Sequence, residues 1–228
     1  MLPHYDVNAD APAKVYDAQK IAGDAAWGKA SRIVDRVLEK NAESVESDWI
    51  DALLGTKGHR PQSIETLLKS IDISKKSASY RIKVAFFLYL SLKFQYKIQR
   101  NNRGIIEGTS LDDCISGLHI PHEVGLRLLE LFTTEAIGGK EHTGYIVSKQ
   151  QRHKLNSHLL ILYVIASGKK MKVPSINQLC KDMKLDDKEA MLVLRAAGFV
   201  VKKNGTGDIG ASLSVPLTFP PPMRGKRS

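Results

Sequence analysis

The chain has 228 residues, 43% apolar and 25% charged, enough for one large core or two modest ones in an ordinary globular protein. Its net charge of +10 is unevenly placed: −2 over residues 1–70, +7 over 71–104, −5 over 105–147 and +10 over 148–228. Two cysteines exclude a disulfide framework and cannot supply four zinc ligands. The longest apolar run, Val84 to Leu92, is too short to span a bilayer, and no basic-then-apolar leader follows Met1. These features read as a soluble intracellular protein without a membrane partner. Its localised positive charge is the electrostatic footprint of a polyanion, the alternative being charge that serves solubility alone.

Leu2 to Gly23 mixes Pro3, Asn8, Asp10 and Pro12 with Tyr5, Val15 and Tyr16, and lacks a sustained helical period. It reads as an extended segment whose aromatics dock on some surface. Trp27 to Asn41 carries Ile33, Val34, Val37 and Leu38 at helical spacing. Ser47 to Leu54 and Gln62 to Leu68 read as short helices separated by a mobile loop, Gly55 to Pro61. Ser77 to Gln99 is the longest predicted helix. Val84, Phe87, Leu88, Ser91, Phe94 and Ile98 form its apolar stripe, while Lys93, Lys97 and Arg100 lie on another.

From here the sequence repeats itself. Ser110 to Thr134 aligns without a gap to Ser175 to Phe199 at an offset of 65. Apolar residues coincide at Leu111 and Ile176, Cys114 and Leu179, Leu118 and Met183, Ile120 and Leu185, Leu126 and Met191, and Leu129 and Leu194. Each copy reads as a short helix, a tight turn and a longer helix. A long apolar helix precedes each copy, Gln150 to Ser167 in the second case, and LLILYVIA (Leu159 to Ala166) should be central to the second core. A hairpin follows each copy, with Gly138-Gly139 and Asn204-Gly205 as its turn signal. The fold class is therefore mainly α with small β-hairpins (α+β). Helix, helix-turn-helix, hairpin is the order of a winged helix, here in tandem.

Charge distinguishes the two copies. In the second, Lys188, Leu192 and Arg195 share a face, Asp186 is placed to cap the helix and leave its positive end open to phosphate, Lys202 and Lys203 stand on the hairpin, and Lys169, Lys170 and Lys172 follow the first helix. Arg152, Lys93 and Lys97 complete the candidate DNA-binding set. The first copy exposes Glu123, Arg127 and Glu130, with Lys140 beside Glu141 on its hairpin, and should contact protein or the second module instead of nucleic acid.

Catalytic and metal motifs find no support. GDAAWGKA (Gly23 to Ala30) falls one residue short of a Walker A loop, because Ala30 replaces the magnesium-binding hydroxyl and no strand precedes it, so it reads as a helix entry. His119 and His122 are separated by Pro121 and read as surface or capping residues. Cys114 and Cys180 read as buried thiols. No cofactor is expected.

The opening LPHYDVNADAPAKVYDAQKI, the tandem pattern and the closing ASLSVPLTFPPP (Ala211 to Pro222) together resemble the C-terminal part of the forty-nine-kilodalton-type subunit of eukaryotic RNA polymerase I, over almost the whole chain. That resemblance implies a non-catalytic, TFIIE-like tandem winged helix that binds single- or double-stranded DNA near the polymerase cleft. It also implies a linker crossing the cleft, partners among other polymerase subunits and an initiation factor, and work in the nucleus and nucleolus on ribosomal RNA genes. The family's N-terminal dimerisation domain is not found in this sequence, which implies that Met1 opens a truncated chain, monomeric when isolated. The expected divisions are a linker (1–25), a helical linker (26–74), a first winged helix (75–147), a second (148–222) and a disordered basic tail (223–228). A protein-interaction scaffold that does not touch DNA is the competing expectation, and a different TFIIE-like factor is a third.

Overall fold

The computed structural model describes residues 2–43, 48–55, 60–100, 104–108, 110–136, 143–168, 170–217 and 219. The segment expected to be extended instead holds two short helices, α1 (Pro12–Val15) and α2 (Ala18–Ala22), the second capped by the Asp17 side chain on the Gln19 N–H. Its aromatics do dock, through a bridge between Tyr5 and Tyr16 and burial of Tyr16. The helix α3 (Asp24–Glu43) takes in most of GDAAWGKA, which is a helix entry as predicted. Two further helices follow, α4 (Trp49–Leu54), with Asp48 as its cap, and α5 (Gln62–Lys69), entered through Pro61. The turn proposed as mobile falls largely on residues 56–59, outside the described residues.

The helix α6 (Ala78–Arg100) buries all six residues of its predicted stripe. It leads into β1 (Ile105–Gly108), then α7 (Leu111–Ser116), α8 (His122–Phe132), β2 (Thr134–Ala136) and β3 (Thr143–Ile146). Ser110 caps α7 through the Asp113 N–H. The Gly138-Gly139 turn and the Lys140–Glu141 pair lie outside the described residues. The second unit repeats the order: α9 (Lys149–Ser167), β4 (Lys172–Val173), α10 (Asn177–Met183), α11 (Asp187–Ala196), β5 (Phe199–Lys203) and β6 (Ile209–Leu213). Ser148 and Gln151 form a reciprocal capping box at the start of α9.

The sheets are antiparallel and ordered alike, β1-β3-β2 and β4-β6-β5. The chain is thus mainly α with two three-stranded sheets. The strands β1 and β4 were not foreseen; Lys172 lies on β4 and not on a free turn. The connection between β5 and β6 also differs from a two-residue hairpin. It spans five residues, closed by hydrogen bonds from Asn204 N to Asp208 O and Gly207 N to Asn204 O. Leu159 to Ala166 is buried as expected, but α9 packs along α6 within one contiguous cluster that runs through both units. A helix buried all round needs apolar neighbours on every side, and α6 supplies one wall. No helix among the described residues is long and apolar enough to cross a membrane.

Candidate nucleic-acid interface

On α11, Lys188, Leu192 and Arg195 are exposed while Ala190 and Leu194 are fully buried, so the predicted outward face is present. On β5, Phe199 and Val201 face the core while Lys202 and Lys203 are exposed. Register sets Lys172 of β4 and Val200 of β5 on either side of Ser212 in β6. Because strand side chains alternate, Lys172 and Lys202 therefore stand on the same outer face of the sheet. Lys170 and Lys172 border a shallow recess of about 310 Å³. The Lys203 ammonium lies 3.7 Å from Asp187 and ties the strand to the start of α11. Among the described residues, Lys170, Lys172, Lys188, Arg195 and Lys202 form no ion pair. Lys169 lies outside the described residues.

The β5–β6 loop is fixed in place by its own polar side chains and by Ser175 and Asn177 at the start of α10. Asn204 Oδ1 accepts the Asp208 N–H at 2.7 Å, and the Ser175 hydroxyl donates to Asp208 at 3.0 Å. Asn177 accepts the Ile209 N–H at 2.9 Å and donates to the Gly207 carbonyl at 3.2 Å. Hydrogen bonds from the Thr206 and Ser175 hydroxyls hold the Asp208 carboxyl below its ordinary range. A loop pinned in this way would lose little freedom if a ligand bound it.

One expectation needs correction. Asp186 does cap α11, accepting the Lys188 N–H at 2.9 Å, but Asp187 and Glu189 occupy the same first turn. Three carboxylates cancel the partial positive charge of the helix start, so phosphate is not drawn to that end. Of the cations that face outward, Lys188 lies among these carboxylates in the first turn, whereas Arg195 sits in the last turn and Lys170, Lys172 and Lys202 on or beside the sheet.

Arg152 belongs to a second recess, about 250 Å³, between α6, α9 and the α10–α11 turn. Its guanidinium runs against Gly104, whose left-handed backbone (φ +65°) favours glycine and where a Cβ would stand 2.5 Å from Nη2 and push it aside. Lys149 and Lys184 line the same recess and were missed from the sequence. The spacing of Lys149 to Arg152 at a helix start was an available signal. The αL backbone of Lys184 (φ +50°), which closes α10, had none. His153 and Glu189 pair across the recess at 2.9 Å.

The corresponding face of the first unit is covered over Glu123 and Arg127, while Glu130 stays exposed. The helix α3 packs on α8, with Lys29 3.3 Å from Glu123. Gly23 (φ +78°) lies so close that a Cβ there would meet Arg127 Nε at 3.0 Å. Arg127 in turn pairs with Glu130 at 2.8 Å. The backbone N–H at the start of α8 and, after it, Lys29 hold the Glu123 carboxyl below its ordinary range. The acidic helix thus meets protein, and the protein is an earlier helix of the same chain.

Lys93 and Lys97 are not brought to this surface. They line a separate groove with Arg100, formed by α6, the α7–α8 turn, Pro61 and Asp182. Both cysteines are buried and neither is in a disulfide, and burial pushes the Cys180 thiol up to about 12. His122, read as a surface or capping residue, is exposed and contacts Asp112 at 2.9 Å, whereas His158 is buried in the core. Among the described residues no group of three or more histidine, cysteine or carboxylate side chains could hold a metal ion.

The family model described as A49-like RNA polymerase I associated factor matches residues 1–220. The chain belongs to that family. No curated protein matches it. The match takes in the N-terminal segment, both repeated units and all but the last two residues of the closing run from Ala211 to Pro222. An RNA polymerase I associated factor works in transcription with the other subunits of that enzyme.

Proposed function

We propose that the chain is a non-catalytic DNA-binding module of an RNA polymerase I subunit that contacts DNA near the cleft and supports initiation and elongation on ribosomal RNA genes in the nucleolus. On this reading residues 75–147 and 148–222 are two winged helices, residues 1–74 a linker folded back on them, and residues 223–228 a basic tail. Contacts come from Lys188, Arg195, Lys202, Lys203, Lys170, Lys172 and Arg152, with Lys149 and Lys184 added.

One observation carries the proposal. Among the described residues, the second unit leaves cations without an ion pair on a helix, a strand and a sheet face, while α3 packs on the equivalent helix of the first. Unpaired cations spread over a preorganised surface suit phosphates, and recognition through phosphates is largely indifferent to sequence, as transcription through a whole gene requires. The scaffold alternative drew on the acidic stretch of the first unit, and Glu123 already has an intrachain partner.

Fluorescence anisotropy with single- and double-stranded DNA across a salt series tests the proposal. Neutralising about five phosphates predicts a slope of about −4 to −5 in log affinity against log salt. Reversing the charge of Lys188 and Arg195 together should weaken binding to all sequences alike. A slope near zero, or a double reversal without effect, refutes it.

A further inference from the structure

The groove that takes Lys93 and Lys97 away from the second unit has a composition of its own. It encloses about 530 Å³, within the range of sites that hold small ligands or inserted side chains. Its floor is apolar, built from Pro61, Leu92 and Leu118, all buried. Its rim is cationic: Lys93, Lys97 and Arg100 follow one another at spacings of four and three along α6. None of the three forms an ion pair among the described residues. Asp182, the one carboxylate in the lining among the described residues, is already engaged, accepting the Ser63 N–H at 2.8 Å near the start of α5.

Lys93 is the most constrained of these cations. It donates to the His119 carbonyl at 2.8 Å and lies 5.7 Å from the centre of the Tyr89 ring. Burial without a carboxylate partner pulls its pKa down, so an anion brought to it would restore stabilisation that water supplies elsewhere. Arg100 lies over the Tyr96 ring at 5.6 Å. A ring face under a cation is not free to stack on a base, and single-stranded nucleic acid relies on stacking. The groove is also concave and floored with aliphatic carbon, which suits an inserted side chain and not a duplex backbone.

We propose that this groove docks a short acidic segment of a partner protein, with carboxylates on Lys93, Lys97 and Arg100 and one leucine or phenylalanine side chain against Pro61, Leu92 and Leu118. The inference does not depend on DNA binding by the second unit.

A fluorescein-labelled peptide carrying leucine and phenylalanine among aspartates and glutamates is the probe, titrated into the whole chain. Binding should be in the micromolar range, and K97E with R100E should weaken it by about tenfold or more, as two charge-assisted contacts are lost. K188E with R195E should leave it unchanged. A benzoylphenylalanine placed at the aromatic position should crosslink to residue 61, to residues 89–100 or to residues 117–119. Absence of peptide binding, indifference to the K97E and R100E pair, or crosslinks elsewhere would overturn the proposal. Tighter binding of an oligothymidylate, lost in the same K97E and R100E pair, would overturn it in favour of nucleic acid. Both substituted side chains are exposed, so the fold survives the test.

Discussion

The Tyr16 hydroxyl donates a 2.8 Å hydrogen bond to the carbonyl of Ala197, 181 residues later, and its ring stacks on Phe199 with centroids 6.0 Å apart. Tyr5 adds a tilted contact to Tyr16 and another to Phe219. The N-terminal segment is therefore fastened to the C-terminal unit at the end of α11, beside the strand that bears Lys202 and Lys203. Removing only the hydroxyl, in Tyr16→Phe, keeps the stack and deletes one buried bond. The expected cost is about 1 to 2 kcal/mol. For a chain of this size that is a fall of about 2 to 8 °C in Tm, read by circular dichroism. An unchanged Tm would mean that this bond does not hold the segment down.

His158 makes stability depend on pH. It is buried, its Nδ1 lies 2.7 Å from the Lys154 carbonyl and so carries the proton, and its ring meets Phe132 edge-on at 5.0 Å. Burial lowers its pKa to about 4; the Lys154 carbonyl opposes that shift and the Lys154 charge adds to it. A folded-state value below the unfolded one means that the unfolded chain takes up the proton first as pH falls. The contribution is fully present above the unfolded value of about 6.5 and is lost between there and about 4. By pH 5 the loss should be about 2 kcal/mol. In His158→Asn, whose amide can still reach the Lys154 carbonyl, urea midpoints should flatten over that window.

The repeat was legible because its signal is local. The helices α8 and α11 begin at His122 and Asp187, and the strands β2 and β5 at Thr134 and Phe199, both at the offset read from the sequence. Apolar periodicity sets such starts without reference to the rest of the chain. Shared apolar type did not guarantee burial, however: Leu126, matched to Met191, is 43% exposed. The strands β1 and β4 escaped notice because they are short and pair with partners about forty residues away, so their formation is a tertiary event. For the same reason the sequence could name Lys93 and Lys97 as cations but not assign them to a groove apart from Lys188. The covering of α8 by α3 was invisible too, since it depends on which of several amphipathic helices meets which face.

The thiols should behave as core atoms. Cys114 and Cys180 are almost fully buried, and burial raises both pKa values, that of Cys180 to about 12. Thiolate is the reactive form, so neither should react with a disulfide reagent in the folded chain at neutral pH. Both should react on unfolding in guanidinium. Fast labelling of a native thiol would show that its unit opens locally.

The separation of the two cationic regions gives the most discriminating expectation. Lys170 and Lys172 stand at the recess beside the second sheet, and Lys172 shares an outer face with Lys202. Changing both to glutamate should reduce the salt slope of DNA binding by about 1 to 2, because each phosphate contact contributes nearly one unit. Lys97 and Arg100 line the other groove, so K97E with R100E should leave that slope where it was. The two double variants change net charge equally, and a general field effect would therefore weaken DNA binding alike in both. Salt series on the two proteins side by side measure the difference. Equal losses would mean that DNA senses the overall charge of +10 and not a defined surface on the second unit.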